Sequence, residues 1–405
     1  MKTTASVPPT HGLPTIFQGR WFFVGLALGL IFMSGLGRRA ARSDYHPNFT
    51  RFFPAISPEA SYYPTVDEMC AIVRARCRPD QVLVIVGGNS VLQGVWQPAD
   101  LMWSRRLQEE LGERYCVINF ALRGATPTDG GAVVAEVLRR EYPRQIYIAN
   151  EKAATGLFPL GGQTYRSIFW EAYFKGRLLS DRHRNEWVRN ELTDRQNWAM
   201  TPEIVGSAWL DDVLRFHDFW NRLSFEKFNT VPSLFAPAPP ALFSPRKLFT
   251  DEEPDGTNLT LDQRYLPAVR ETEMKILRGT TILAYAPVAG GGWQMKAGLR
   301  GQLDNVYEQA FPASLHRRTL LLVGRDSSFF RHQLTAEELN RDEQGIHDMV
   351  TMLRAHGYAA MDYGADFTDE DYADRTHLAP VGGQKLADAV AREVRSMAEG
   401  LDYLK

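Results

Sequence analysis

Val82-Leu83-Val84-Ile85-Val86-Gly87-Gly88-Asn89-Ser90 is a run of five apolar residues that ends in a glycine pair and two small polar residues. Bounded upstream by Pro79-Asp80, the run has the length of a strand, and its unbroken apolar character predicts burial on both faces, as in a parallel sheet. A tight glycine turn straight after such a strand lifts the Ser90 hydroxyl above the sheet edge, at the start of a helix. Taken alone, the turn reads first as a helix cap, because serine is a favoured N-cap residue. The closing glycine of the G-x-S-x-G elbow is missing from Gly88-Asn89-Ser90-Val91-Leu92, which argues against an ordinary α/β-hydrolase.

Working outward, Val66 to Arg76 reads as a helix before this strand, and Pro98 to Leu111 as a helix after it, with Leu101, Leu107 and Leu111 in phase. Cys116 to Phe120 is a second strand, Thr126 to Leu138 another helix with Asp129 near its start, and Ile146-Tyr147-Ile148 a third strand. This alternation predicts an open α/β sheet with functional groups at the strand C-termini. From Glu151 the pattern changes to aromatic-rich helices containing Trp170, Tyr173, Trp187, Trp198, Trp209 and Trp220. They read as an insertion whose rings form its own core in preference to a sugar-stacking wall. Val231 to Pro267 is proline-rich and suits a long surface connection. The sheet pattern resumes with Thr281 to Ala286, Leu320 to Val323 and Tyr358 to Met361. Thr335 to His356 is a long helix opened by a capping box at Thr335 and Glu338, and Pro380 to Met397 closes the chain as an amphipathic helix.

With 405 residues, 44% hydrophobic and 23% charged, the chain can bury a full core, and a net charge of -2 gives no basic field for nucleic acid. Cys70, Cys77 and Cys116 are too few for a disulfide framework and lack metal or redox spacing. Cys70 and Cys77 sit two turns apart, about 10 Å on an intact helix, so all three are expected as buried thiols. Trp21 to Gly37 carries no charge and is flanked by Arg20 and by Arg38, Arg39 and Arg42. It is expected to be an uncleaved membrane anchor, slightly short of a full span. The alternative, a cleaved signal ending at Gly35-Leu36-Gly37, needs an unusually long stretch before the apolar core. Charge alone does not orient it.

Near the C-terminus, Asp374-Arg375-Thr376-His377 places a carboxylate and an imidazole three residues apart on a turn. A serine hydroxyl needs an adjacent base, and that base needs an orienting group; Ser90, His377 and Asp374 supply the three types. His217-Asp218 and His347-Asp348 also pair the types, but within expected helices. Gly124, after the second strand, permits close backbone approach, and Asn150, after the third, carries a side-chain amide; both suit an oxyanion hole. No phosphate loop or H-E-x-x-H occurs, and Gly290-Gly291-Gly292 lacks a phosphate-loop lysine, so no metal or organic cofactor is expected.

The order strand–Ser90, strand–Gly124, strand–Asn150 and C-terminal Asp374-x-x-His377 resembles that of the SGNH (GDSL-like) hydrolases, over about residues 80–152 and 280–398. Asn89 stands where that family commonly has Asp, and Glu151 follows Asn150 where Asp is common. The resemblance implies a three-layer α/β/α sandwich with a mainly parallel sheet, a catalytic triad of Ser90, His377 and Asp374, and an oxyanion hole of Ser90, Gly124 and Asn150. The expected organisation is a tail over 1–20, a membrane segment over 21–37, a linker over 38–64 and an SGNH-like domain over 65–405, interrupted by a helical and Pro-rich insertion over 151–275. In plan the chain is similar to extracytoplasmic bacterial proteins that move or remove acyl groups on envelope polymers. That likeness implies a single-pass membrane protein, with its domain on the periplasmic side, acting as esterase or O-acyltransferase on glycan-linked acyl esters. The alternatives are an inactive envelope binding or assembly protein, marked by a Ser90 out of reach of His377, and a lipid esterase.

Overall fold

The computed structural model describes residues 20–40, 49–52, 64–152, 166–193, 261, 265, 267–279 and 284–405. Five parallel strands form the main sheet: β1 (Val82–Val86), β2 (Tyr115–Asn119), β3 (Gln145–Lys152), β6 (Thr319–Gly324) and β7 (Ala359–Tyr363), in the spatial order β2-β1-β3-β6-β7. The other two strands among the described residues, β4 (Tyr285–Pro287) and β5 (Trp293–Met295), pair with each other in an antiparallel hairpin. Of the strand expected over Thr281 to Ala286, the described residues Tyr285 and Ala286 therefore pair in this hairpin and not in the parallel sheet. Its turn carries Gly290, Gly291 and Gly292, all at positive φ, and residues 281–283 lie outside the described set.

All five residues of β1 are buried, because helices cover both sheet faces. Side chains alternate across a strand, so Leu83 and Ile85 enter one core while Val82, Val84 and Val86 enter the other. Tyr147 and Ala149 against Ile146 and Ile148, and Leu321 and Val323 against Leu320 and Leu322, divide the same way. On the first face lie α2 (Val66–Arg76), α5 (Gly131–Leu138), α6 (Arg166–Phe174), α7 (Arg182–Thr193), α9 (Ala297–Gln309) and α12 (Ala336–Ala355). On the second lie α3 (Ser90–Gln93), α4 (Trp103–Leu111) and α13 (Pro380–Gly400). This is the expected α/β fold with a mainly parallel sheet between helical layers.

Local chemistry explains where the helices begin. Thr65 caps α2, accepting from Glu68 N at 3.2 Å while Glu68 accepts from Thr65 N at 3.3 Å, and Thr335 with Glu338 repeats that reciprocal box at α12. Pro380 occupies the first turn of α13, where its missing N–H costs nothing. Two expected helices are shorter. Residues 98–111 divide into a 3-10 turn over Ala99–Leu101 and α4, and α5 begins at Gly131 because Thr126 to Asp129 is a turn closed by Asp129 on Thr126 N at 2.8 Å.

Two corrections concern packing. Cys77 ends α2 and is disulfide-bonded to Cys116 of β2, with Cα atoms 5.6 Å apart; only Cys70 stays a buried thiol, and burial pushes it up to about 12. Trp170 and Trp187 are buried in the same core as α2 and α5, and so do not form a separate insertion core; Trp198, Trp209 and Trp220 lie outside the described residues. α1 (Arg20–Ala40) is long and apolar enough to cross a membrane, and its large hydrophobic side chains, such as Trp21, Phe23 and Phe32, are exposed.

Candidate active site

From β1 the chain runs to β2 on one side and then crosses to β3 on the other. In open parallel sheets the crevice beyond the strand C-termini at such a reversal is where ligands bind. Ser90 emerges there from β1. Val86 pairs with Ile148 of β3, so Asn150, two residues further on and still within β3, projects beside the turn that carries Ser90. Gly88 makes this approach possible: at φ +81, a Cβ on it would lie 2.5 Å from Asn150 Oδ1 and 3.0 Å from Asn150 N.

The cap of α3 is Asn89, not Ser90. Its Oδ1 accepts from Val91 N at 2.9 Å and from Asn150 Nδ2 at 2.8 Å, and its own N–H donates to Asn150 Oδ1 at 3.1 Å. An amide oxygen has two lone pairs and both are used. Ser90 is thereby released from capping. Its Oγ lies 2.8 Å from His377 Nε2, and His377 Nδ1 lies 2.6 Å from Asp374 Oδ2.

Asp374 is held from several directions. Its Oδ1 accepts from Thr376 N and His377 N, both at 2.8 Å, and its Oδ2 accepts from Trp96 Nε1 at 3.1 Å. Burial works against the charge, but the hydrogen bonds and charge of His377 and the backbone N–H groups outweigh it and hold the carboxyl well below the usual carboxylate range. An ionised Asp374 has no proton to give, so the proton of this hydrogen bond belongs to His377 Nδ1; in the neutral form of the imidazole that leaves the Nε2 lone pair facing Ser90.

The His377 loop leaves β7 at the sheet edge and returns to the reversal point. Tyr372 and Leu378 bridge its two limbs, and Ala379 N donates to Asp371 O at 2.9 Å. Arg375 fastens it from outside, through Asp326 Oδ1 at 2.7 Å and Glu273 Oε2 at 2.6 Å, the latter on α8 (Pro267–Leu277). Tyr265 Oη accepts from Arg375 N at 3.1 Å, and burial together with the Asp374 charge pushes that phenol up to about 12, so it remains neutral. From the Ser90 side, the buried Gln97 donates to Leu378 O at 3.1 Å and accepts from Trp103 N at 2.9 Å. One side chain thus ties the loop to the start of α4.

Gly124 lies in the turn after β2, exposed and at φ +71. That turn is joined to the nucleophile turn by Leu122 N donating to Gly88 O at 3.0 Å and by Arg123 Nε donating to Gln93 Oε1 at 3.3 Å. Asn150 Nδ2 gives one of its two protons to Asn89, which leaves the second to point elsewhere. Glu151 is buried and accepts a hydrogen bond from Tyr307 Oη, so it serves the core. His347 and Asp348 lie on α12, and His217 and Asp218 lie outside the described residues.

Sequence reasoning missed Trp96 and Gln97. Neither carries a motif. Trp96 adopts φ +70, a left-handed conformation rare for a bulky residue, and no pattern of side-chain types announces it.

No family model matches the chain, and no curated protein matches it. Two solved structures do: the native M. smegmatis aryl esterase at 13% identity and its inhibitor-bound form at 12%, each covering 78% of this chain and 99% of the other, with a TM-score of 0.28. The likeness is distant, and the reading of the site rests on its own geometry.

Proposed function

We propose that this chain is a membrane-anchored serine ester hydrolase or O-acyltransferase of the SGNH type that works through an acyl-Ser90 intermediate. The observation that carries the reading is the continuous Ser90–His377–Asp374 chain of hydrogen bonds, 2.8 and 2.6 Å long, at the reversal point of the sheet. Ser90 Oγ attacks the ester carbonyl while His377 Nε2 takes its proton. The imidazolium, stabilised by Asp374, then gives that proton to the departing alcohol. The Ser90 and Gly124 N–H groups and the Asn150 amide receive the oxyanion. Water or a second alcohol resolves the acyl-enzyme, giving hydrolysis or transfer. The inactive-protein alternative required Ser90 beyond reach of His377, and their reacting atoms are at hydrogen-bond distance.

The substrate we propose is an acyl ester on a cell-envelope glycan, met outside the cytoplasm. A membrane-grade α1 supports the anchor, and the Cys77–Cys116 disulfide supports an oxidising compartment. The experiment is fluorophosphonate labelling and p-nitrophenyl acetate turnover by the wild type beside Ser90→Ala and His377→Ala. Labelling and turnover are expected in the wild type, with both lost in Ser90→Ala. Unchanged turnover in Ser90→Ala removes the nucleophile assignment.

A further inference from the structure

The turn that follows α3 is held from outside by a short stretch that comes after the membrane-grade helix in the sequence. Arg51 is 2% exposed. Its Nη1 donates to Gln93 O at 2.8 Å and also to Gly94 O, and its Nη2 donates to Gln97 O at 2.7 Å. Gln93 Nε2 returns a bond to Phe52 O at 2.5 Å. The Phe52 ring stacks on Phe120 at 5.7 Å and meets Phe49 at 4.7 Å. Phe120 follows β2, and its N–H donates to Val86 O, the end of β1, at 2.7 Å. Residues 49–52 therefore lie across the same strand ends that deliver Ser90.

What Arg51 encloses is the segment around Trp96. A tryptophan at φ +70 is strained and persists only where its surroundings over-determine it. Val95 N to Ser90 O at 3.2 Å and Gln97 N to Gly94 O at 3.0 Å fix the turn from within; Arg51 fixes the carbonyls on either side of Trp96. The outcome of that conformation is the indole N–H on Asp374 Oδ2, the oxygen that also meets His377 Nδ1.

We propose that residues 49–52 are a positioning element of the active site, in which Arg51 sets the 93–97 turn so that Trp96 orients Asp374. This rests on the catalytic reading of Ser90, His377 and Asp374. Arginine suits the task because its planar fork reaches carbonyls in two directions, whereas the single ammonium of lysine does not span both.

The test uses the full-length chain in detergent, with Arg51→Lys, Trp96→Phe and the double variant. It reads kcat and KM with p-nitrophenyl acetate, together with the low-field proton resonance of the His377–Asp374 hydrogen bond. Trp96→Phe keeps an aromatic ring and removes the N–H donor. Each single variant is expected to lower kcat about tenfold with KM unchanged and to shift the resonance, and the double variant is expected to lose no more than the more damaged single. Additive losses, or an unmoved resonance in Trp96→Phe, overturn the proposal. If Arg51→Lys fails to fold, Trp96→Phe decides: unchanged kcat at wild-type far-UV circular dichroism overturns it, and a kcat loss with the resonance shift sustains it. The resonance exists whether or not ester is cleaved. A wild type that neither labels with fluorophosphonate nor turns over ester, yet whose resonance still responds to both variants, sinks the catalytic reading while sustaining the Arg51–Trp96–Asp374 coupling.

Discussion

Asn89 fills two roles at one position, since the Oδ1 that caps α3 also accepts from the Asn150 amide. A carboxylate in its place keeps both acceptor contacts. Asn89→Asp is therefore expected to retain kcat within a few-fold, whereas Asn89→Ala loses the cap, worth about 1 kcal/mol, and releases the Asn150 amide. Asn150→Ala, if its second amide proton meets the oxyanion, is expected to lower kcat by about 10²-fold with little change in KM. Steady-state kinetics on the three variants beside thermal melts separates turn-holding from oxyanion binding. Asp374 gives a pH prediction. Its folded carboxyl titrates below its unfolded value, so its stabilisation is complete above about pH 4 and is lost as the pH falls through the folded value. Asp374→Asn is expected to be less stable than wild type at pH 7, with the gap narrowing below about pH 4, and to lower kcat by up to about 10⁴-fold through the wrong imidazole tautomer. Denaturant melts from pH 7 to pH 3 check the sign. A gap that widens in acid removes the assignment of Asp374 as a stabilised anion.

At the scale of elements, the Cys77–Cys116 bond joins the end of α2 to the interior of β2 across 39 positions of sequence. A closed loop of that length removes about 4 kcal/mol of unfolded-state entropy in the chain-entropy model. Cys77→Ser is expected to lower the unfolding free energy by that order, and thiol reductant is expected to reproduce the loss in the wild type. Equal stability with and without reductant would show that the bond does not form. The contrast with β1 explains what the sequence could convey. A both-face-buried strand writes itself as five consecutive apolar residues, and Asp374 and His377 share a turn, so each is a local pattern. The disulfide depends on where α2 lands after β1 and β2 have paired, so spacing within α2 pointed only to Cys70 and Cys77 and to no bond. Thr281 to Ala286 shows the same limit, since an apolar run states burial but not which sheet accepts it. Trp96 and Arg51 act through a backbone angle and three carbonyls, neither of which leaves a mark in residue types.

Across the whole molecule, the positioning of the site and the placement of the chain meet in residues 49–52. Phe49 follows the end of α1 by nine positions, a reach of at most about 30 Å when fully extended. The strap across the nucleophile turn is thus tethered close to the end of the membrane-grade helix. On the proposed reading, with α1 as anchor and the domain outside the cytoplasm, this tether keeps the Ser90 turn near the bilayer face. The expected outcome in a bacterial host is a full-length protein that sediments with membranes, resists alkaline extraction and retains residues 1–40 by intact mass. Protease added outside spheroplasts is expected to digest the domain, and thiol trapping to find Cys77 and Cys116 oxidised. A domain protected until the membrane is lysed, with both thiols free, places the site in the cytoplasm. That result leaves the hydrogen-bonded Ser90, His377 and Asp374 standing and removes the envelope substrate, because the tether would then hold the same chemistry against the opposite face.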